Sequence, residues 1–290
     1  MKWFSYQSPS TQGILFVMLS VGLFSLMDAF AKQLGTQVSL AQVLWARYFG
    51  QLLIILLICR HRAPRYLATP HLRLQIFRSL MQLGAAACFF TALKYQGLAE
   101  ATAVADLAPI LITIAAAIIL GERIGPRRIF GILAALFGAM IIIRPGTDVF
   151  SIHSLWPLGS ALCIASFSIT TRYIGKTESA LTPQLYTGLV CGGLMCLVLP
   201  FYWVRPDMTA VLMMLCVGSI GTGAQLMMLK AYSTAPASVV APFTYAGLIT
   251  ATLWGVIFFD QWPDLWTCIG ALVIVAAGLY VWHRETRRTA

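Results

Sequence analysis

The chain has 290 residues, of which 59% are hydrophobic and 10% charged, with a net charge of +10 and a mean hydropathy of +0.80. Soluble domains carry about 25% charged residues and about 45–50% apolar ones, and so few charges do not cover the surface of a globular protein of this size. Lipid is the expected solvent, and soluble enzymes, disordered chains and secreted disulfide scaffolds are excluded.

Runs of about 20 mostly apolar residues, the length a bilayer span requires, fall roughly at 12–34, 38–59, 74–94, 98–119, 127–144, 154–174, 182–203, 208–229, 236–258 and 264–283. They are continuous and not alternating, which predicts helices in place of barrel strands. The gaps leave no room for a soluble domain, so the expected fold is an all-α integral membrane protein with ten transmembrane helices. The first run superficially resembles a signal peptide with Ala29-Phe30-Ala31 as its cleavage site. It is too long for that and carries Asp28, so it is expected to be retained as helix one.

Positive charge sets the orientation. With both termini cytoplasmic, Lys32, Lys94, Arg144 and Arg205 fall on the opposite side and Arg47 and Arg78 inside spans, which leaves fourteen of the 20 Lys+Arg on the cytoplasmic side. The basic balance is thus topological, and nucleic acid is not an expected partner. The seven cysteines lie in or beside apolar runs, are odd in number and form no CxxC. They read as small apolar side chains, and no disulfide, metal site or cofactor is expected.

The chain also resembles itself. Residues 93–105, LKYQGLAEATAVA, align with 229–241, LKAYSTAPASVVA, placing Leu93, Lys94, Ala99, Ala101, Val104 and Ala105 on identical partners. Ala31 to Gly35 aligns with Thr171 to Gly175, and Gly131-Ile132-Leu133-Ala134 with Gly270-Ala271-Leu272-Val273. The repeats are residues 12–146 and 154–283, each with five helices. Because five is odd, the second half enters the membrane in the opposite sense. Such a 5+5 inverted-topology repeat is the architecture of secondary transporters.

Several motifs have a family likeness. They are Asp28-Ala29-Phe30-Ala31-Lys32, Trp45-Ala46-Arg47-Tyr48, Ala108-Pro109, Leu120-Gly121-Glu122-Arg123 with Gly131 and Gly138, and Arg144-Pro145-Gly146. On these the whole chain resembles the ten-helix EamA-type drug/metabolite transporters. Phe259-Asp260 stands where the second half would repeat Gly-Glu, a departure from the pattern. The resemblance implies a multi-pass protein of the cytoplasmic (inner) membrane that moves amino acids, nucleotide-like metabolites, vitamins or drugs. The Asp28, Lys32 and Arg47 pattern is similar to branches handling S-adenosylmethionine, riboflavin or amino acids. Expected partners are a small-molecule substrate and the bilayer; a coupling proton and a second copy of the chain stay open.

A charge at mid-bilayer costs about 2.5–3.5 kcal/mol on insertion scales, so each one needs a reason. Asp28, Arg47 and Asp106 lie six, nine and eight residues from the outer ends of helices one, two and four. At the helical rise per residue this puts all three roughly 9–14 Å below the outer boundary. One polar cavity holding all three would suit a zwitterionic or otherwise polar organic substrate. Two structural alternatives stand beside this. Asp28 pairs with Lys32 along its own helix, or Arg47 bridges to Asp106 to fix packing. Tyr48, Gln51, Arg78, Gln82, Gln225, Tyr245 and Trp254 are the further candidate substrate-binding residues. Pro109 and Pro242 interrupt helices four and nine near corresponding positions and point to the binding region. Glu122 with Arg123, Arg127 and Arg128 reads as an anchor or gate. A membrane enzyme acting on lipid-linked intermediates, or a non-transporting receptor, is the competing reading. It lacks an interfacial His/Asp/Glu cluster, a nucleophile with its base and any ATP-binding motif.

Overall fold

The structure is a computed structural model describing residues 8–60, 63–120, 126–143, 152–174, 179, 181–235 and 240–289. Among these residues there is no strand. The helices are α1 (Pro9–Leu34), α2 (Leu40–Cys59), α3 (Leu72–Ala92) and α4, which is broken into Leu98–Ala105 and Ala108–Leu120. They continue with α5 (Pro126–Ile143), α6 (Trp156–Ile174) and α7, which runs from Leu181 to Tyr202. Last come α8 (Met208–Thr234), α9 (a 3₁₀ turn at Ala241–Tyr245 followed by Ala246–Phe259) and α10 (Leu265–Thr289). A short helix, Ala63–Leu67, joins α2 to α3. Of the family-like motifs, Gly121 to Arg123 and Arg144 to Gly146 lie outside the described residues, as do residues 236–239 of the expected ninth span.

Local chemistry starts and stops these elements. Pro9 opens α1, where its missing N–H costs nothing, and the Ser8 hydroxyl caps Thr11 N at 3.2 Å. Ser39 and Gln42 form a reciprocal capping box on α2. The Gln42 amide then continues outward, donating to Val204 O and accepting from Val204 N, both at 2.8 Å, so one side chain satisfies a loop backbone. Asp207 caps α8 through Ala210 N at 2.6 Å. α9 ends where Asp260 turns left-handed, at φ 50°.

Among the described residues, Pro9–Leu34, Leu40–Cys59, Leu181–Tyr202 and Met208–Thr234 are long and apolar enough to cross a bilayer. The apolar segments Ile129–Ile143, Phe243–Phe259 and Leu265–Tyr280 are shorter. The outward faces are greasy: Leu57 is 71% exposed, Leu197 72% and Phe201 84%. A water-facing surface does not carry such a belt, whereas a lipid-facing one needs it. The protein is a multi-pass membrane protein.

Packing follows a regular scheme. α1 lies along α8, and α3 along α6; α8 also meets α2, as α3 meets α7; α9 meets α1, as α4 meets α6. α5 packs on α10, α2 on α7 and α4 on α9. Exchanging α1–α5 for α6–α10 leaves this scheme unchanged. Small residues make the close approaches, as expected where apolar area gives no preference between helix and lipid. A Cβ on Gly218 would sit 2.7 Å from Ala46 O, at the α2–α8 crossing, and one on Gly270 would sit 2.6 Å from Gly138 O, at α5–α10. Gly270→Val is therefore expected to cost about 1–3 kcal/mol by overpacking. It should lower the melting temperature of the purified protein. Gly223→Ala, where a Cβ meets nothing within 4 Å, should not lower it.

Candidate functional site

Seven helices line an open cavity of about 410 Å³, within the range typical of small-molecule sites. α1 contributes Val21, Phe24, Ser25 and Asp28, one face of the helix at i, i+3, i+4 and i+7 spacing. α2 contributes Arg47; α3 contributes Gln82, Ala85, Ala86 and Phe89; α4 contributes Thr102, Ala105 and Asp106. The wall is completed by Ser160, Ile164 and Phe167 of α6, Gln225 and Met228 of α8, and Thr244, Gly247 and Ala251 of α9. Asp28, Arg47 and Asp106, placed at one depth by the helical rise, do share this cavity.

Their pairing differs from both structural alternatives. Arg47 Nη1 lies 4.0 Å from Asp28 Oδ1, with the two side chains 15% and 18% exposed. Lys32 turns away instead. Its Nζ donates to Gln96 O at 2.6 Å and Gln261 Oε1 at 2.8 Å, and lies 5.1 Å from the Phe259 ring centre. Lys32 thus ties the end of α1 to the α3–α4 and α9–α10 connections, and Gln96 extends the tie to His153 O at 2.9 Å. The α2 rotation that sets Arg47 against Asp28 is fixed by the Gly50–Gly218 contact, where a Cβ on Gly50 would meet Gly218 Cα at 2.8 Å.

Arg47 is cradled by aromatic rings. Its guanidinium carbon lies 6.0 Å from the Phe24 centroid, 5.6 Å from Tyr48 and 5.5 Å from Phe90. These faces hold the cation without consuming its donors. A 4.0 Å ion pair is longer than a charge-assisted hydrogen bond, so guanidinium donors are left for an anionic group. On the other wall, Asp106 Oδ2 is buried and has no hydrogen-bond partner, and neither does Ser25 Oγ.

The helix break beside Asp106 has a sequence cause. Pro109 stands in the first turn of the second α4 piece and withholds the amide that would bond Ala105 O, and Ala105 lines the cavity. Pro242 lies in the 3₁₀ turn that opens α9. At the offset of the LKYQ repeat, residues 105–109 correspond to 241–245, so the α4 break and the 3₁₀ turn of α9 fall in corresponding segments, although Pro109 itself aligns with Tyr245. Pro109 itself is on the exposed surface.

The remaining candidates divide by what they touch. Gln82 and Gln225 line the cavity. Tyr48 is fully buried one layer out, donating to Gln82 O at 2.9 Å. Gln51 donates to Gln184 Oε1 at 3.1 Å, joining α2 to α7. Arg78, 1% exposed, donates to Thr171 Oγ1 at 2.7 Å, Pro183 O at 3.0 Å and Thr187 Oγ1 at 3.0 Å. It also stacks 4.4 Å from the centroid of Phe167, so it braces α3, α6 and α7 from behind the cavity wall. Tyr245 packs on Gly278 and lines a separate, mostly apolar groove between α9 and α10. Trp254 packs on Phe258 at 5.5 Å, with its buried Nε1 unpartnered.

Phe24, Ser25, Thr102 and Ser160 also line the cavity and are not among the residues expected from the sequence. Ser25 and Thr102 sit three and four residues before the two aspartates and share their helix faces, a signal that could have found them. Arg78→Met is expected to remove the charge-assisted hydrogen bonds to Thr171, Pro183 and Thr187, at about 1.5–3 kcal/mol in all because both threonine hydroxyls keep a second partner. It should lower the melting temperature while folded protein keeps its ligand affinity. Lost affinity at unchanged melting temperature would move Arg78 into the binding site.

The model of the EamA-like transporter family matches the chain twice, at residues 11–144 and 152–282. The chain is 25% identical over 275 residues to the S-adenosylmethionine uptake transporter of Rickettsia prowazekii, covering 95% of this chain and 94% of that protein. It is 27% identical over 272 residues to the pseudopaline exporter CntI of Pseudomonas aeruginosa, covering 91% and 94%. Against the riboflavin transporter of Brucella anthropi it is 25% identical over 273 residues, covering 88% and 94%. A solved crystal structure aligns at a TM-score of 0.66 and 20% identity over 97% of this chain and 99% of its own, a likeness of fold.

Proposed function

The chain belongs to the EamA-like transporter family, and we propose on that premise that it moves a small zwitterionic metabolite by alternating access through the central cavity. It is a transporter of small metabolites and not an enzyme, as its relatives are. The proposed architecture is ten spans in the cytoplasmic membrane with both termini cytoplasmic. In it, residues 12–146 and 154–283 form two five-helix repeats of inverted topology. The packing scheme that survives exchange of the halves supports this, as do the break in α4 and the 3₁₀ turn of α9, which fall at corresponding positions. A site built where such halves meet has two nearly equivalent shapes, one open to each face.

The observation that carries the reading is the Asp28–Arg47 pair set in the wall of an otherwise mostly apolar cavity. A buried pair of this kind adds little stability over an apolar replacement. In a cavity wall it offers a fixed plus and a fixed minus to a substrate that carries both. Of the substrates named for the relatives, S-adenosylmethionine and pseudopaline carry charges of both signs and are the first to try, with uncharged riboflavin as the contrast. Lys32, Gln96 and Gln261 would hold the bundle shut at the α1 C-terminal end and part when that end opens.

Arg47→Ala is the test. Removing a charged hydrogen-bond donor worth about 1.5–3 kcal/mol should cut substrate flux into proteoliposomes by about tenfold or more. The variant should still insert and elute as folded protein. Undiminished flux would contradict the assignment.

A further inference from the structure

The charges of the cavity wall do not cancel. Among the described residues lining it, the ionisable side chains are Asp28, Arg47 and Asp106. Arg47 and Asp28 face each other, which leaves Asp106 without a counter-charge in the wall. Its Oδ2 is buried and without a hydrogen-bond partner. The polar groups that α6, α8 and α9 add to the wall, Ser160, Gln225 and Thr244, are neutral, and Tyr245 of α9, which interacts electrostatically with Asp106, is a phenol and brings no positive charge. A buried carboxylate left so is costly. The helix itself is broken at Asp106, and Pro109 frees Ala105 O beside it, adding an acceptor to the same spot. An unpartnered carboxylate oxygen beside a carbonyl freed by Pro109 describes a receptor for a positive group.

We propose that Asp106 is the docking point for an organic cation, and that the cavity takes a substrate with one more positive charge than negative, its anionic group held by Arg47. This rests on the proposed function and deepens it. The zwitterion expected from the Asp28–Arg47 pair must carry a second cationic centre, an ammonium, guanidinium or sulfonium. The ring of Phe89 in the same wall is suited to such a centre, whereas the Phe167 ring already carries Arg78. With that substrate bound, the three wall charges and the ligand sum to zero. Each buried charge then has an opposite, and a strictly neutral analogue leaves Asp106 stranded. Selectivity arises from that penalty, because a site built around a charged partner rejects the analogue lacking it.

The test is equilibrium binding to the purified full-length protein in detergent, using two matched pairs that differ by one positive charge. These are S-adenosylmethionine against S-adenosylhomocysteine, and arginine against citrulline. In at least one pair the cationic member should bind the wild type about tenfold or more tightly than its neutral partner. Asp106→Asn should erase that preference, Asp106→Glu should retain it, and Arg47→Ala should weaken both members of the pair alike. Equal affinity within both pairs, failure of both cationic members to bind, or a preference that survives Asp106→Asn would overturn the proposal. So would an Asp106→Asn protein that keeps cation binding and loses only accumulation driven by a pH gradient, since Asp106 would then carry a proton. Binding is read without flux, so a protein that binds as described but moves nothing would fail the transport reading and leave this one standing.

Discussion

Hydrocarbon offers no hydrogen bonds, and the rest of this structure follows from that constraint. Every polar group inside the bundle has to find its partner within the protein. Thr91, Thr102, Thr170, Thr171 and Thr222 each return their hydroxyl to the carbonyl one turn earlier. Gln51 spends its amide on Gln184, and Arg78 divides its donors among three acceptors on α6 and α7. Against this background of satisfied groups, the rule relaxes at Trp254 Nε1, outside the cavity wall, and at several groups of the central cavity. Asp106 Oδ2 and Ser25 Oγ are unpartnered there, and the Arg47–Asp28 contact is long. Polar capacity left unused at mid-bilayer is what a polar ligand can use.

The same constraint explains why the cavity lies where it does. Broken helices are tolerated in a membrane only when the freed backbone faces protein or a lumen. The break in α4 and the 3₁₀ turn of α9 fall at corresponding points of the two halves, and both segments contribute to the wall. α1 and α8 on one side and α6 and α3 on the other form the long packed pairs that frame it. The small residues at the helix crossings, Gly50 with Gly218 and Gly138 with Gly270, fix rotation more than they supply adhesion. A slightly different rotation of α2 would aim Arg47 elsewhere.

Much of this was legible in the sequence. Apolar run lengths give the helices to within a few residues, since a hydrophobic span has a length set by the bilayer. Depth arithmetic on Asp28, Arg47 and Asp106 puts them in one cavity, because residues at one depth in neighbouring helices can meet. Partner choice was not legible. Asp28 had Lys32 one turn away on its own helix, and what sends Lys32 to Gln96 and Gln261 is long-range contact between loops. Nor could Gln51 and Arg78 be told from cavity residues. A buried polar side chain has the same sequence signature whether it faces a lumen or a neighbouring helix. Phe24 and Phe167 were hidden for the opposite reason, being apolar residues among many.

Alternating access through this cavity can be read by labelling a single cysteine from either side of the membrane. Ser25→Cys, in a full-length background with the native cysteines replaced, would be treated in oriented sealed vesicles with a membrane-impermeant thiol reagent added to one face or the other. The account predicts modification from both faces. It further predicts that Lys32→Ala, which releases the tie at one end of the bundle, raises the rate from one face and lowers it from the other. Modification from a single face in every condition, with and without Lys32, would contradict alternating access through this cavity.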